Sequence, residues 1–224
     1  MNLPEPSSLE RRELGTDEQV VARVLAGEEH LFEVIMRRNN TRLYRAARSI
    51  LRSDDEAEDV MQDAYVRAYA HLGDFRGAAA FSTWLTRIAV HEALARLRQR
   101  KKNVSIDDEL DVEDESMGAE SRSPEQCTHD GELRGVLEEA IDALPVAFRT
   151  VFILRSIEDL SVADTAATLG IPEETVKTRL HRARRLLRES LVERLEATSR
   201  DAFAFERPRC DRVIRAVLER IRAH

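Results

Sequence analysis

LPVAFRTVFILRSIEDLSVADTAATLGIPEETVKTRLHRARRLLR, residues 144–188, is the stretch whose reading decides the fold. It divides into a helix, a short helix, a tight turn and a final basic helix. The turn is Leu169-Gly170-Ile171-Pro172. Gly170 accepts the positive φ that ends one helix, and Pro172 suits the first turn of the next. In the last helix Val176, Leu180, Ala183 and Leu187 recur at steps of three and four, which gives one inward apolar face. Thr175, Thr178, Arg179, Arg182 and Arg185 follow the same steps on another face. Small polar groups mixed with arginines on the second helix of a helix-turn-helix fit a major groove. A solvated basic face on an ordinary helical hairpin is the plainer reading of the same pattern.

The rest of the chain agrees with an all-α fold: two small helical domains joined by an acidic linker, the second domain a helix-turn-helix. Six prolines and eight glycines in 224 residues are few, and no alternating run of β-branched residues would build a sheet. The net charge of −7 argues against a nucleic-acid partner only until it is resolved along the chain. Residues 96–102 hold five bases and no acid, and residues 177–188 hold six bases and no acid. Residues 54–63 hold six acids and no base, and residues 103–121 hold eight acids and no base. Such segregation predicts two basic and two acidic surfaces with different partners.

Several classes are disfavoured. No apolar run approaches the roughly 20 residues of a membrane span, and no signal peptide opens the chain, so the expected location is cytoplasmic without membrane insertion. Cys127 and Cys210 make neither a disulfide framework nor a zinc site. The six histidines show no metal-ligand spacing, and no Gly-rich phosphate loop or nucleophile motif occurs. The expectation is therefore no enzyme, no cofactor and no metal.

Residues 1–16 read as a mobile tail, and Thr16-Asp17 as the first helix start. An amphipathic pattern then runs to about Arg38, and a further segment over 41–51 places Leu43, Ala47, Ile50 and Leu51 inward. Ser53-Asp54-Asp55-Glu56 has the form of a capping box that starts the acidic helix DDEAEDVMQDAYVRAYAHL (54–72). Its inward stripe is Val60, Ala64, Ala68 and Leu72, and Asp59, Gln62, Asp63 and Arg67 face out. A loop, Gly73-Asp74-Phe75-Arg76-Gly77, leads to FSTWLTRIAVHEALARLRQRKK (81–102), a basic helix led by aromatic residues. Aromatic rings beside arginines suit stacking on unpaired bases, although Trp84 and Phe81 are equally natural core residues. These segments form a first domain, 17–102. Residues 103–130 read as the acidic linker, 131–195 as the second domain with Leu137 on its inner face, and 196–224 as a C-terminal extension with a short helix.

The order of these parts resembles the extracytoplasmic-function (ECF) sigma factors of the sigma-70 family, on the motifs 54–72, 81–102 and 144–189. That resemblance implies a factor that binds core RNA polymerase through its β′ and β subunits and directs initiation at particular promoters. It implies stress-response regulation, double- and single-stranded promoter DNA as partners, and an anti-sigma factor as inhibitor. Residues 17–102 would be sigma region 2, with Asp59, Gln62 and Asp63 contacting polymerase. Phe75, Arg76, Thr83, Trp84, Arg87, His91 and Arg98 would serve the −10 element and strand opening. Residues 131–195 would be region 4, with Thr175, Lys177, Thr178, Arg179, Arg182 and Arg185 at the −35 element. His91 and Ala95 stand where many relatives have Asn and Asp, so the −10 preference does not transfer. An anti-sigma-binding sigma mimic and a stand-alone helix-turn-helix regulator are the alternative functions.

Overall fold

The computed structural model describes residues 14–104 and 129–201, together with positions 212 and 215, and all regular elements among them are helical. The helices are α1 (Asp17–Leu25), α2 (Phe32–Leu51), α3 (Asp54–Ala70), α4 (Phe81–Val104), α5 (His129–Asp142), α6 (Val146–Phe152), α7 (Val162–Leu169) and α8 (Glu173–Asp201). Most of the tail, most of the acidic linker, both cysteines and most of the C-terminal extension lie outside the described residues.

The first three-helix layer is α2, α3 and α4, with α1 laid across it. Its interior takes Val20, Ile35, Leu43, Ala64, Phe81 and Leu85. The stripe expected on α3 is buried at Val60, Ala64 and Ala68, and Leu72 continues it just past the helix end. The second unit packs α5, α6 and α7 against α8. Val176, Ala183 and Leu187 turn inward as the spacing predicts, and Gly170 ends α7 at φ 65°.

Several local readings change. The expected break near Asn39-Asn40 is absent, and α2 is one helix of 20 residues. Asn39 is a weak helix former, but here its side-chain amide donates to the Ile35 carbonyl at 3.0 Å and to Asp17 Oδ2 at 2.9 Å. A tertiary partner thus holds the helix through its weakest point. The reciprocal capping box belongs to Thr16 and Gln19. At Ser53 the hydroxyl accepts from the Glu56 N–H at 3.3 Å, while the Glu56 carboxylate lies 3.5 Å from the Arg100 guanidinium. Leu137, expected inside, is exposed.

The helix beginning at Val146 does not run on as an α-helix. Residues 153–157 make a π-helical turn, and Asp159 follows in the left-handed region at φ 54°. Both features occur where the second unit meets the first. Leu154 and Leu160 share one apolar cluster with Ala46, Ile50, Val60, Val90 and Ala93 of the first unit.

Candidate nucleic-acid interface

The loop after α3 and the start of α4 gather three aromatic rings. Phe75 meets Phe81 edge-on at 5.2 Å between centroids, and Trp84 lies 5.7 Å from Phe75 and 5.4 Å from Phe81. Phe81 is fully buried, whereas Phe75 and Trp84 are half-buried and Arg76 is exposed. Phe81 is thus the floor that fixes the other two rings. The first N–H of α4, from Phe81, donates to Glu18 Oε1 at 3.0 Å. This bond, the first of several, holds the Glu18 carboxyl below its ordinary range. Helix α1 therefore caps the helix that carries the aromatic group.

Along α4, Arg87, His91 and Arg98 fall on one side at steps of four and seven. Arg98 and His91 are exposed, and Arg87 is half-buried with its Nε buried and unpartnered. Thr83 is buried. His91 Nε2 lies 3.0 Å from the Thr168 carbonyl of α7; a carbonyl only accepts, so Nε2 carries the proton.

Helix α3 presents Asp59, Gln62 and Asp63 to solvent, with Val66 and Tyr69 also exposed on that helix. A groove of about 440 Å³ between α2 and α3 adjoins Gln62 and includes Met36, Arg37, Met61 and Tyr65 in its lining. Arg96 of α4 reaches over to Asp59 at 3.1 Å and Asp63 at 3.3 Å. The acidic and basic surfaces of the first unit are thus neighbours, partly mated to each other. Exposed pairs of this kind contribute about 0–1 kcal/mol and exchange readily for other charged partners.

On α8, Lys177, Thr178, Arg182 and Arg185 are exposed, and Thr175 and Arg179 are half-buried. The Thr178 hydroxyl donates to the Glu174 carbonyl at 2.9 Å, and Lys177 pairs with Glu174 at 3.2 Å. No ion pair holds Arg179 or Arg182 among the described residues. Both lie on the helix that follows the turn made by Gly170 and Pro172.

Sequence reasoning missed a third group, at the contact between the units. Arg48 makes a fork to Asp142 at 3.1 and 2.7 Å and also reaches Asp54 at 2.8 Å. Burial works against its charge, and the two carboxylates more than offset that, so its pKa is raised. Glu158, 6% exposed, takes Arg42 at 3.4 Å and Arg45 at 3.2 Å. Arg149, 2% exposed, donates to the Ser49 carbonyl at 2.6 Å and to the Asp142 and Leu144 carbonyls at 2.8 and 3.0 Å. The signal was present: Arg42, Arg45 and Arg48 recur at steps of three along a helix whose other side is apolar. No spacing rule reveals that their partners lie about 100 residues away.

Two family models match this chain, Sigma-70 region 2 over residues 35–103 and Sigma-70 region 4 over residues 134–187. The chain is 33% identical over 176 residues to the ECF RNA polymerase sigma factor SigW of Bacillus subtilis, an alignment covering 76% of this chain and 94% of that protein. It is 36% identical over 174 residues to the ECF RNA polymerase sigma-E factor of Escherichia coli K12, covering 75% of this chain and 91% of that one. The chain belongs to the extracytoplasmic-function sigma factors of the sigma-70 family. It is a factor that binds RNA polymerase and directs promoter-specific initiation, and proteins of this kind are non-enzymatic.

Solved structures share the architecture. One is the sigma factor RpoE of Bartonella quintana in complex with the anti-sigma factor NepR, at TM-score 0.55 and 26% identity over 71% of this chain and 96% of that one. CnrH, in complex with the cytosolic domain of CnrY, matches in fold at TM-score 0.54 and 24% identity, over 80% of this chain and 99% of that one. Among the described residues of this sigma factor, no helix is long and apolar enough to cross a membrane.

Proposed function

We propose that this sigma factor reads a bipartite promoter, with duplex recognition in α8 and strand capture around the start of α4. Arg179 and Arg182, with Thr175, Lys177, Thr178 and Arg185, lie in the major groove of the −35 element. Arginine forks pair bidentately with guanine, and each good pair discriminates a base by about 1–3 kcal/mol. Phe75, Arg76, Trp84, Arg87, His91 and Arg98 hold the opened −10 strand. Stacking there contributes about 1–3 kcal/mol per base. Asp59, Gln62 and Asp63, beside the groove at Met61 and Tyr65, dock the β′ subunit, and the acidic 103–130 segment follows the polymerase toward its active-site cleft. Polymerase then fixes the separation of two modest DNA contacts, which makes their sum useful. Catalysis belongs to the polymerase, and the cytoplasm is where this chain meets it.

The observation that carries this reading is the half-buried Trp84–Phe75 pair, seated on a buried Phe81, with Arg76 next to Phe75 in sequence and Arg87 three residues beyond Trp84 on α4. A core-packing role alone requires no such cations around it. A solved relative, the sigma factor RpoE, is in complex with the anti-sigma factor NepR, which supports an anti-sigma partner for this chain as well. The test is transcription from a mapped promoter by core polymerase with purified wild type, Trp84→Ala or Arg182→Ala. Trp84→Ala should fail on closed duplex and recover on a template premelted across the −10 element. Arg182→Ala should stay weak on both. Equal recovery of the two variants on the premelted template refutes the division of labour.

A further inference from the structure

The basic run 96–102 is not one surface. Arg98 shares its side of α4 with Arg87 and His91, whereas Arg96 lies five residues beyond His91, about 140° round the helix. There it meets α3. One terminal nitrogen of its guanidinium donates to Asp59 Oδ2 at 3.1 Å, and the other donates to Asp63 Oδ2 at 3.3 Å. A single fork thus straddles two carboxylates one helix turn apart. The neighbouring turns carry rungs of the same kind, Arg100 to Glu56 at 3.5 Å and Arg67 to Glu92. Like charges at that i,i+4 spacing repel each other along a helix face, and Arg96 offsets the repulsion. Its side chain is 32% exposed, against 63% and 62% for the two aspartates. The cation therefore sits deeper than the acids it holds. Together the two carboxylates and one guanidinium carry a net charge of −1, where the acids alone would present −2.

We propose that Arg96 is a resident counter-ion for the polymerase-docking acids, a positioning residue that polymerase displaces as it docks. In the free chain it holds Asp59 and Asp63 side by side and neutralises half of their charge. A partner that brings one cation takes one aspartate and leaves Arg96 on the other, so it gains little. A partner with two cations about 5–6 Å apart matches the spacing of the two side chains and replaces both bonds in one step. The arrangement needs arginine, because a planar fork meets two acceptors at once and an ammonium on a flexible stem does not. The inference rests on the docking role given to Asp59 and Asp63 above; the ion pairs themselves do not. It also separates the labour of α4. Arg98 serves the side toward DNA, and Arg96 the side toward polymerase.

The experiment measures equilibrium binding of the full chain to core polymerase at low, intermediate and high salt. Asp59→Asn and Asp63→Asn should each weaken binding several-fold. Arg96→Gln should tighten binding about three- to tenfold at low salt, the equivalent of the two exposed pairs it removes. It should also steepen the salt dependence, so that the gain closes at high ionic strength. Arg96→Lys keeps the charge without the fork and should tighten binding by a smaller factor. When Arg96→Gln is combined with either asparagine change, its gain should fall below about twofold, since the residues act as one unit. Matching circular-dichroism spectra would show that each variant is folded. No gain from Arg96→Gln, weaker binding by it, or a gain undiminished in both asparagine backgrounds overturns the counter-ion. If neither asparagine change affects binding, it is the docking role of the two acids that fails.

Discussion

The two domains of this sigma factor differ in how they are held together. Region 2 has its own deep interior, in which large side chains from four helices meet, among them Phe32, Ile35, Leu43, Phe81 and Leu85. Region 4 is built from thin clusters: Ala140, Leu144, Ala183 and Leu187 on one side of α8, and Val151, Ala166 and Val176 on the other. Its larger fully buried apolar residue, Leu154, is lodged in a cluster with region 2. The contrast follows the tasks proposed for each. Holding a flipped base requires a rigid floor under exposed rings, and a large core provides one. Reading duplex requires one well-presented helix, and a small support suffices. A domain with little interior of its own also finds an advantage in leaning on its neighbour.

The strongest way to break this contrast is Leu154→Ala. Filling of that site by surrounding atoms would be incomplete, and the loss should be about 2–5 kcal/mol. Calorimetry should show one transition in wild type and, in the variant, a low-temperature transition for region 4 separated from that of region 2. The same truncation at Leu85 should lower the region 2 transition instead. A single, equally shifted transition in both variants would show that the two interiors are one.

Arg149→Ala should cost about 3 kcal/mol, since it strips three carbonyls of a buried cationic donor. Arg149→Lys should recover little of this, because one ammonium on a flexible stem cannot reproduce the planar fork. Denaturant melts followed by near-ultraviolet and far-ultraviolet signals would measure both. On the DNA side, Trp84→Ala and Arg182→Ala should each lose about 1–3 kcal/mol, the first in open-complex formation and the second in −35 selectivity. Footprinting with permanganate separates these, since only the first removes reactive thymines.

The smallest effect concerns Glu18. Its carboxyl is held below the ordinary value because the ionised form accepts the Phe81 N–H. The sign follows from that depression: its stabilising contribution is full above the unfolded pKa and disappears as pH falls through the lower, folded one. Glu18→Gln should therefore flatten the acid limb of region 2 stability while leaving neutral-pH stability within about 1 kcal/mol. Thermal melts between neutral pH and the acid transition would reveal an unaltered limb if the bond to α4 is unimportant.

Much of this was legible in the sequence because it depends on local periodicity. The stripes of α3 and α8, the turn at Gly170 and the aromatic lead into α4 are all statements about residues within a few turns of one another. Asn39 misled because a long-range carboxylate, Asp17, supplied what the local sequence lacked. Leu137 misled because a fitting period does not guarantee a partner for every position on the stripe. The stripe Arg42, Arg45 and Arg48 was visible but silent, since a basic helix face looks the same whether it meets solvent, phosphate or a carboxylate from another domain.

The widened turn at 153–157 has a consequence for which changes this region tolerates. Each residue advances a helix by about 100°, so one residue more or less rotates everything beyond it by more than a quarter turn. Upstream of that turn Val151 is committed to the interior of region 4, while Leu154 within it is committed to region 2. Both commitments depend on the number of residues between Val146 and Leu160, whatever their identities. Point changes at the exposed Ile157 should be borne easily, whereas deletion of that same residue would aim Glu158 and Leu160 away from the first domain. In this segment the chain's length is under tighter constraint than its composition.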